Sequence, residues 1–92
     1  MSSRARFLLV TFRFTGPPKV KELEPIFNNA LDWARYADNC WIIWTPGSAE
    51  YWAGQLKPHI GPNDSLLVFR IDMSDSYGWA PKWVWDWFSK KR

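Results

Sequence analysis

Three segments of the chain carry the hydrophobic patterns that predict β-strands. Residues 6–14 alternate with a period of two, and the even-numbered side chains from Leu8 to Phe14 are the expected core face. Residues 40–44 form a continuous apolar run bounded by turn residues, which is typical of a buried strand. Residues 66–73 alternate again. The pattern therefore predicts one strand near the start, one in the middle and one in the last third.

Two further segments have apolar residues at helical spacing. One spans residues 20–37, where Pro25 is tolerated only near a first turn, so that regular helix is expected to begin around Glu24. The other spans residues 49–59 and follows Ser48, a residue type that caps helix N-termini well. The turn signal Asp38-Asn39 separates the first predicted helix from the middle strand.

The last apolar segment, residues 83–88, fits two templates. As a strand it would place Trp83, Trp85 and Trp87 on one face, and as a helix it would pair Trp83 with Trp87 one turn apart. Proline at position 81 and lysines after the segment favour the helix.

The order of these elements predicts an α/β (α+β) fold in a single domain, residues 1–92. Strands and helices alternate as β-α-β-α-β with a short C-terminal element, which places the helices on one face of the sheet. The other face would be open and would carry a mixed apolar and basic surface: Leu9, Thr11, Arg13, Val68 and Arg70.

Composition agrees with a folded domain and sets limits on its partners. The chain is 47% hydrophobic and 23% charged, which is typical of a globular protein and excludes a disordered one. Twelve Lys and Arg against nine Asp and Glu give a net charge of +3, a mild excess that permits contact with nucleic acid without requiring it.

Eight tryptophans in 92 residues are more than a small core easily holds. Core burial is expected for Trp33, for Trp41 or Trp44, and for Trp52. If the last segment is helical, Trp83 and Trp87 pack with Val84 and Phe88. This leaves Trp79 and Trp85 as the candidates for an exposed site.

The chain lacks the residues that most catalytic and metal sites require. With one histidine, His59, and one cysteine, Cys40, neither a metal site nor a nucleophile with its base is expected, and the scattered glycines form no phosphate-binding loop. We therefore expect no catalytic residues, no metal and no cofactor. Cys40 lies in an apolar run and is interpreted as a buried filler in a reducing compartment.

The location of the protein follows from its apolar runs. No stretch approaches the length of a membrane span, and the short run after Arg6 is cut by Arg13 without a cleavage site. The expectation is a cytoplasmic protein with no membrane partner.

The middle of the chain resembles a known family. The strand at residues 40–44, the helix from Ser48 to Leu56, then Ile60 and the segment 63–68 are together similar to the SinR-like relatives of the small ferredoxin-like CRISPR adaptation proteins, with virulence-associated protein D as a more distant cousin. The resemblance implies a ferredoxin-like sheet with helices on one face, a homodimer, and a function in holding or cutting nucleic acid.

Two positions depart from the family's pattern. The nuclease members carry a metal-binding aspartate at the end of the first strand, where this chain has Arg13, and this favours a protein that is not an enzyme. The family's plan also has a fourth strand, which in this chain would come from residues 36–39 or from the C-terminus, or would be absent.

Three functions remain open from the sequence. The first is a non-catalytic, dimeric module that contacts nucleic acid, or a complex that handles it, through the open sheet face and the basic C-terminus. The second is an interaction or inhibitor protein, of the phage or toxin-antitoxin type, that docks on a protein partner through its Trp-rich end. The third is a metal-dependent ribonuclease in which Asp72 or Asp75 replaces the missing aspartate. The residues predicted to bind nucleic acid or a partner are Arg13, Arg70, Trp79, Trp85, Lys90, Lys91 and Arg92.

Overall fold

The computed structural model describes residues 4–92 as a small α+β fold, in which a four-stranded antiparallel sheet is combined with three α-helices. The elements in chain order are β1 (Arg6–Arg13), α1 (Val20–Phe27), β2 (Asp32–Ala37), β3 (Cys40–Thr45), α2 (Ala49–Leu56), β4 (Ser65–Arg70) and α3 (Lys82–Ser89). Short 3-10 turns follow α2 at Lys57–His59 and β4 at Met73–Asp75. The strands are arranged in the order β2-β3-β1-β4.

The main core lies between one face of the sheet, here called the front face, and helices α1 and α2. From β1 the alternate residues Leu8, Val10 and Phe12 point into it, as the sequence pattern predicts. Helix α1 contributes Leu23 and Phe27, and β3 and α2 complete the cluster with Trp41, Ile43, Trp52 and Leu56. Trp41 and Trp52 are the largest side chains in this layer and are almost fully buried.

The predicted helix over residues 20–37 is wrong in its second half, because the chain leaves the helix after Phe27 and forms β2 at Asp32–Ala37. This segment is the fourth strand, and it begins earlier than the expected residues 36–39. Two consecutive asparagines at 28 and 29 are poor helix formers, and the following tryptophan and tyrosine favour strands. Pairing of β2 with β3 also satisfies backbone groups that a buried strand would otherwise leave unpaired.

Helix α1 begins at Val20, not around Glu24, and it contains Pro25 in its interior. A proline inside a helix leaves the carbonyl four residues earlier without its usual donor. Here Pro25 and Lys21 are both exposed, so water can satisfy that carbonyl. The short helix therefore tolerates a residue that would break a buried one.

The face assignment of β4 is opposite to the predicted one. Val68 pairs with Val10 and Arg70 pairs with Leu8, so both belong to the front face. Leu67 and Phe69 instead share the other face, called the back face, with Leu9 and Thr11. The predicted alternation of β4 is correct. The register with β1, however, determines which of its two sets of side chains faces the core.

The back face is not open along its whole width, since α3 packs on it. Val84 of α3 is 5% exposed, and Phe7 of β1 has ring-centroid distances of 5.5 Å to Trp87 and 5.1 Å to Phe88. The helical interpretation of residues 83–88 is thus confirmed. Helices α1 and α2 share one face of the sheet as expected, whereas the other face, which was expected to be open, is partly covered by α3. Three aromatic side chains of α3 and β1 supply the apolar area that holds the third helix in place.

The carboxylate of Asp64 joins the two loops at the top of the sheet. It accepts hydrogen bonds from the backbone N–H of Thr15 at 2.9 Å, from the Thr15 hydroxyl at 2.9 Å and from the backbone N–H of Gly61 at 2.8 Å. The Nζ atom of Lys19 lies 3.9 Å away. The hydrogen bond from Gly61, followed by those from Thr15, lowers the pKa of Asp64 below its ordinary value.

Replacement of Asp64 by asparagine should lower the melting temperature at neutral pH, by about 5 °C. The amide places an N–H₂ group against one of the backbone donors, so at least one hydrogen bond is lost. A lowered carboxyl pKa contributes stability above the unfolded value near 4 and loses it as the pH falls through the folded pKa. The difference between wild type and Asp64→Asn should therefore shrink below about pH 4 in thermal scans followed by circular dichroism.

The matched control for this prediction is Asp75→Asn, which changes an exposed carboxylate on the turn after β4. It should melt near the wild-type temperature at neutral pH. An equal loss in both variants would contradict the role assigned to Asp64.

Candidate binding surface

The back face is divided into a covered and an uncovered part. Helix α3 lies over the part formed by β2, β3 and the start of β1, while the face of β4 remains in contact with solvent. There Leu67 and Phe69 are 55% and 52% exposed. A small protein seldom leaves two neighbouring large apolar side chains on a strand in water without a partner for them.

The loop between β4 and α3 adds two more exposed rings. Tyr77 and Trp79 are 89% and 88% exposed, and their centroids lie 5.3 Å apart in an edge-to-face arrangement. We call the set Leu67, Phe69, Tyr77 and Trp79 the open aromatic surface. The prediction that Trp79 is exposed is confirmed.

An apolar cavity of about 310 Å³ lies beside this surface, between α3, the loop and the sheet. Its floor includes Leu9, which is the register partner of Phe69, and its rim includes Tyr77. The remaining lining residues are Tyr36, Ile42, Ile71, Ala80, Val84, Trp85 and Phe88. The exposed Tyr77 of the loop and Leu9 of β1 thus line the same cavity on the back face.

Trp83 and Trp85 have exchanged the roles expected for them. Trp83 is 47% exposed, whereas Trp85 is partly buried and lines the cavity together with Val84 and Phe88. The helical spacing places Trp83 and Trp87 one turn apart, but only Trp87 contacts Phe7 of β1, and Trp83 faces solvent. Trp85 is therefore a wall of the cavity, and Trp79 is the freely accessible ring.

Arg13 and Arg70 do not form one cluster. Arg13 is exposed on the back face at the end of β1, opposite Ser65, and Arg70 is on the front face opposite Leu8. Along the strand direction the positions of the two arginines are five residues apart, which is roughly 17 Å at 3.4 Å per residue. Of the two arginines, only Arg13 shares a face with the open aromatic surface.

Arg70 belongs to a separate recess of about 460 Å³ at the other end of the sheet. Arg6, Trp44 and Asp72 line the same recess. The side chain and backbone N–H of Ser74 donate to Asp72 and lower its pKa, and the charge of Arg70 acts in the same direction. Asp72 thus caps the short turn after β4 and is engaged in local structure.

The basic C-terminus is folded onto the domain. Lys90 and Arg92 both contact the Oδ2 atom of Asp32, at 3.4 and 3.0 Å, while Lys91 is exposed. Burial alone would raise the pKa of Asp32. The hydrogen bond from the Trp33 backbone and the nearby charges of Lys90 and Arg92 outweigh it and lower that pKa.

Asp32 was not among the predicted site residues, because it lies in the segment 20–37 that was expected to be helical. The available signal was the strand-favouring residue types Trp33 and Tyr36, which follow the poor helix formers Asn28 and Asn29.

The remaining polar residues with potential for chemistry are dispersed over the fold. Between residues 4 and 92 there is no group of three or more His, Cys, Asp or Glu side chains that could hold a metal ion. His59 Nδ1 lies 3.3 Å from the Glu22 carboxylate in an exposed pair. Cys40 is half-buried and not fully buried as expected, because it lies on the back face near the β2–β3 turn. No helix in this part of the chain is long and apolar enough to cross a membrane.

Comparison of the chain with protein-family models, with curated proteins and with solved structures finds no match in any of the three.

Proposed function

We propose that this chain is a non-enzymatic binding domain of the ferredoxin-like type that contacts single-stranded nucleic acid through the open aromatic surface. The element order β-α-β-β-α-β and the strand order β2-β3-β1-β4 support the fold assignment. The resemblance to proteins that hold or cut nucleic acid supports the class of ligand. The single observation that carries the proposal is the exposure of Phe69, Tyr77 and Trp79 on and beside one sheet face.

Exposed rings on a sheet suit unpaired bases for a physical reason. Every base has a flat π-face, and stacking on an aromatic side chain contributes about 1–3 kcal/mol per base without requiring a particular sequence. Four-stranded sheets with aromatic residues on the face opposite their helices bind single-stranded RNA in this way. Arg13 on the same face supplies a cation for a phosphate.

The docked C-terminus changes the expected electrostatics. Lys90 and Arg92 are engaged by Asp32, so the basic residues that remain free near the surface are fewer than the sequence suggests. The proposal therefore assigns most of the affinity to stacking and only a small part to phosphate contacts. A weak dependence of the binding on salt follows from this assignment.

Substitution of Trp79 by alanine should weaken binding of a mixed-sequence single-stranded RNA or DNA by about 5- to 160-fold, which corresponds to the loss of one stacked base. Fluorescence anisotropy of a labelled oligonucleotide measures this change. Arg13→Ala should reduce the slope of log K against log salt by about 1.

The matched control is Trp83→Ala, which removes a half-exposed tryptophan outside the surface. It should leave the affinity unchanged. No binding by the wild-type chain, or an equal loss in Trp79→Ala and Trp83→Ala, would overturn the proposal.

The aliphatic side chain of Leu67 favours a second candidate, a protein partner. Leucine offers no stacking face, yet Leu67 is 55% exposed on the same face as Phe69. The outer edge of β4 has no neighbouring strand within residues 4–92, so a second copy of the chain, as the family resemblance implies, could pair there. Capture from lysate after nuclease digestion, with the solution mass measured in parallel, distinguishes these cases because a protein partner survives the digestion.

A further inference from the structure

One end of the back face holds three aromatic side chains and a carboxylate that together form a cage for a cation. Asp32, Trp44 and Phe7 lie in one row across β2, β3 and β1, since Trp44 is the register partner of both of the others. Trp87 of α3 closes the row from above, with its ring centroid 5.5 Å from that of Phe7. We call these four residues the aromatic cage.

The guanidinium of Arg92 fills the aromatic cage. Its central carbon lies 4.6 Å from the ring centroid of Trp87, 5.2 Å from that of Phe7 and 5.5 Å from that of Trp44. One terminal nitrogen donates to Asp32 at 3.0 Å, and the other donates to the carbonyl oxygens of Trp87 and Lys90 at 2.9 and 3.0 Å. The side chain is only 12% exposed.

We propose that the aromatic cage is a guanidinium-binding site that Arg92 occupies in cis, and that it accepts an arginine side chain of a partner polypeptide when Arg92 is withdrawn. Three of the four cage residues belong to strands of the sheet, so they keep their positions when the C-terminal segment leaves. Asp32 carries a negative charge at neutral pH and provides the complement to an incoming cation.

The shape of the cage favours guanidinium over ammonium. A guanidinium is planar, is more weakly hydrated than an ammonium, and can stack on rings while its edge donates to a carboxylate. The three rings and Asp32 meet both requirements at once. A lysine side chain would bring the same charge, but its ammonium group could not stack on the rings and lacks the planar set of N–H donors of a guanidinium.

Occupation by Arg92 explains why the site would be closed in the resting chain. A group tethered a few residues from its site has an effective concentration in the millimolar range, so a weak ligand in trans does not displace it. The inference is independent of the proposed nucleic-acid surface, because the two regions share no residue.

The experiment compares Arg92→Ala with the wild-type chain in titrations with an acetylated and amidated Ala-Arg-Ala peptide. In Arg92→Ala the indole N–H resonances of Trp44 and Trp87 should shift saturably, with a Kd on the order of 1 mM. At the same peptide concentrations the wild type and the control Lys91→Ala should show no such shift. The Ala-Lys-Ala peptide should bind more weakly, and adding Asp32→Asn to Arg92→Ala should abolish the shift.

A second measurement covers the case in which Arg92→Ala loosens α3. A ligand that binds the folded state raises its melting temperature, so the arginine peptide should stabilise Arg92→Ala and should not stabilise the variant that also carries Asp32→Asn. Absence of both the saturable shifts and this selective stabilisation overturns the proposal. Shifts confined to Trp79 or Trp83 overturn it as well, and free arginine binding as tightly as the peptide overturns the assignment to a polypeptide.

Discussion

Gly47→Ala is expected to destabilise the fold by about 2–4 kcal/mol, which is a large effect for the replacement of one hydrogen by a methyl group. A Cβ atom at this position would lie 2.7 Å from Nε1 and 3.1 Å from Cδ1 of Trp52. Trp52 is 2% exposed and is packed between α2 and the sheet, so a shift of its ring disturbs the packing of the core. Moving the ring would also break the hydrogen bond that its indole N–H donates to Thr45 Oγ1 at 3.1 Å.

Gly54→Ala is the matched control, and it should have the opposite sign. Gly54 lies in the interior of α2 with no atom within 4 Å of the position of an added Cβ. Alanine there reduces the backbone entropy of the unfolded chain and should stabilise the protein by about 0.5–1 kcal/mol. Urea unfolding of both variants at neutral pH measures the two effects. Two losses of similar size would show that Trp52 does not restrict Gly47.

The elements that could be predicted from the sequence are those whose hydrophobic pattern has one solution. Strand β1 alternates over its whole length, and the apolar run of β3 is bounded by turn residues on both sides, so both were predicted within one residue of their ends. Helix α2 has a capping residue whose role is confirmed, since the Ser48 side chain accepts from the Tyr51 N–H at 3.0 Å. In these cases the local signals agree with the packing.

Strand β2 was missed because its residues satisfy two patterns. Ala30, Leu31 and Ala34 continue the helical spacing of α1, although Leu31 is 66% exposed. The strand conformation is favoured because it pairs with β3, whose edge would otherwise have unpaired backbone hydrogen-bonding groups. A pairing of this kind depends on the tertiary structure and cannot be read from a local window.

The candidate site was less predictable than the fold, because it depends on which faces and ends come together. The sequence shows that Arg13 and Arg70 lie on strands, but only the register shows that they point to opposite faces. In the same way, the sequence predicts that Lys90 and Arg92 are free basic residues. In the structure both contact Asp32, which lies 58 and 60 residues earlier in the chain. Contacts over such separations leave no local signal.

Trp52→Ala is expected to have the largest effect on stability of the changes considered, about 3–5 kcal/mol. The side chain is almost fully buried, stacks near Phe27 with a centroid distance of 6.3 Å and joins α2 to the end of β3. A domain of this size has a total stability of roughly 5–15 kcal/mol, so the variant would be close to unfolding at 37 °C. Trp83→Ala, at a half-exposed position on α3, should cost far less in urea titrations followed by far-ultraviolet circular dichroism.

Phenylalanine at Trp41 and at Trp52 separates the contribution of the indole hydrogen bond from that of the ring. Both tryptophans are buried, but Trp41 Nε1 has no hydrogen-bond partner among the described residues, whereas Trp52 Nε1 donates to Thr45. Trp41→Phe therefore removes a buried donor that was already unsatisfied, while Trp52→Phe also removes a hydrogen bond in the core. Trp52→Phe should be the less stable of the two by about 1 kcal/mol. The reverse order would mean that the packing of Trp41, which stacks on Phe27 at 5.0 Å, matters more than the indole hydrogen bond of Trp52.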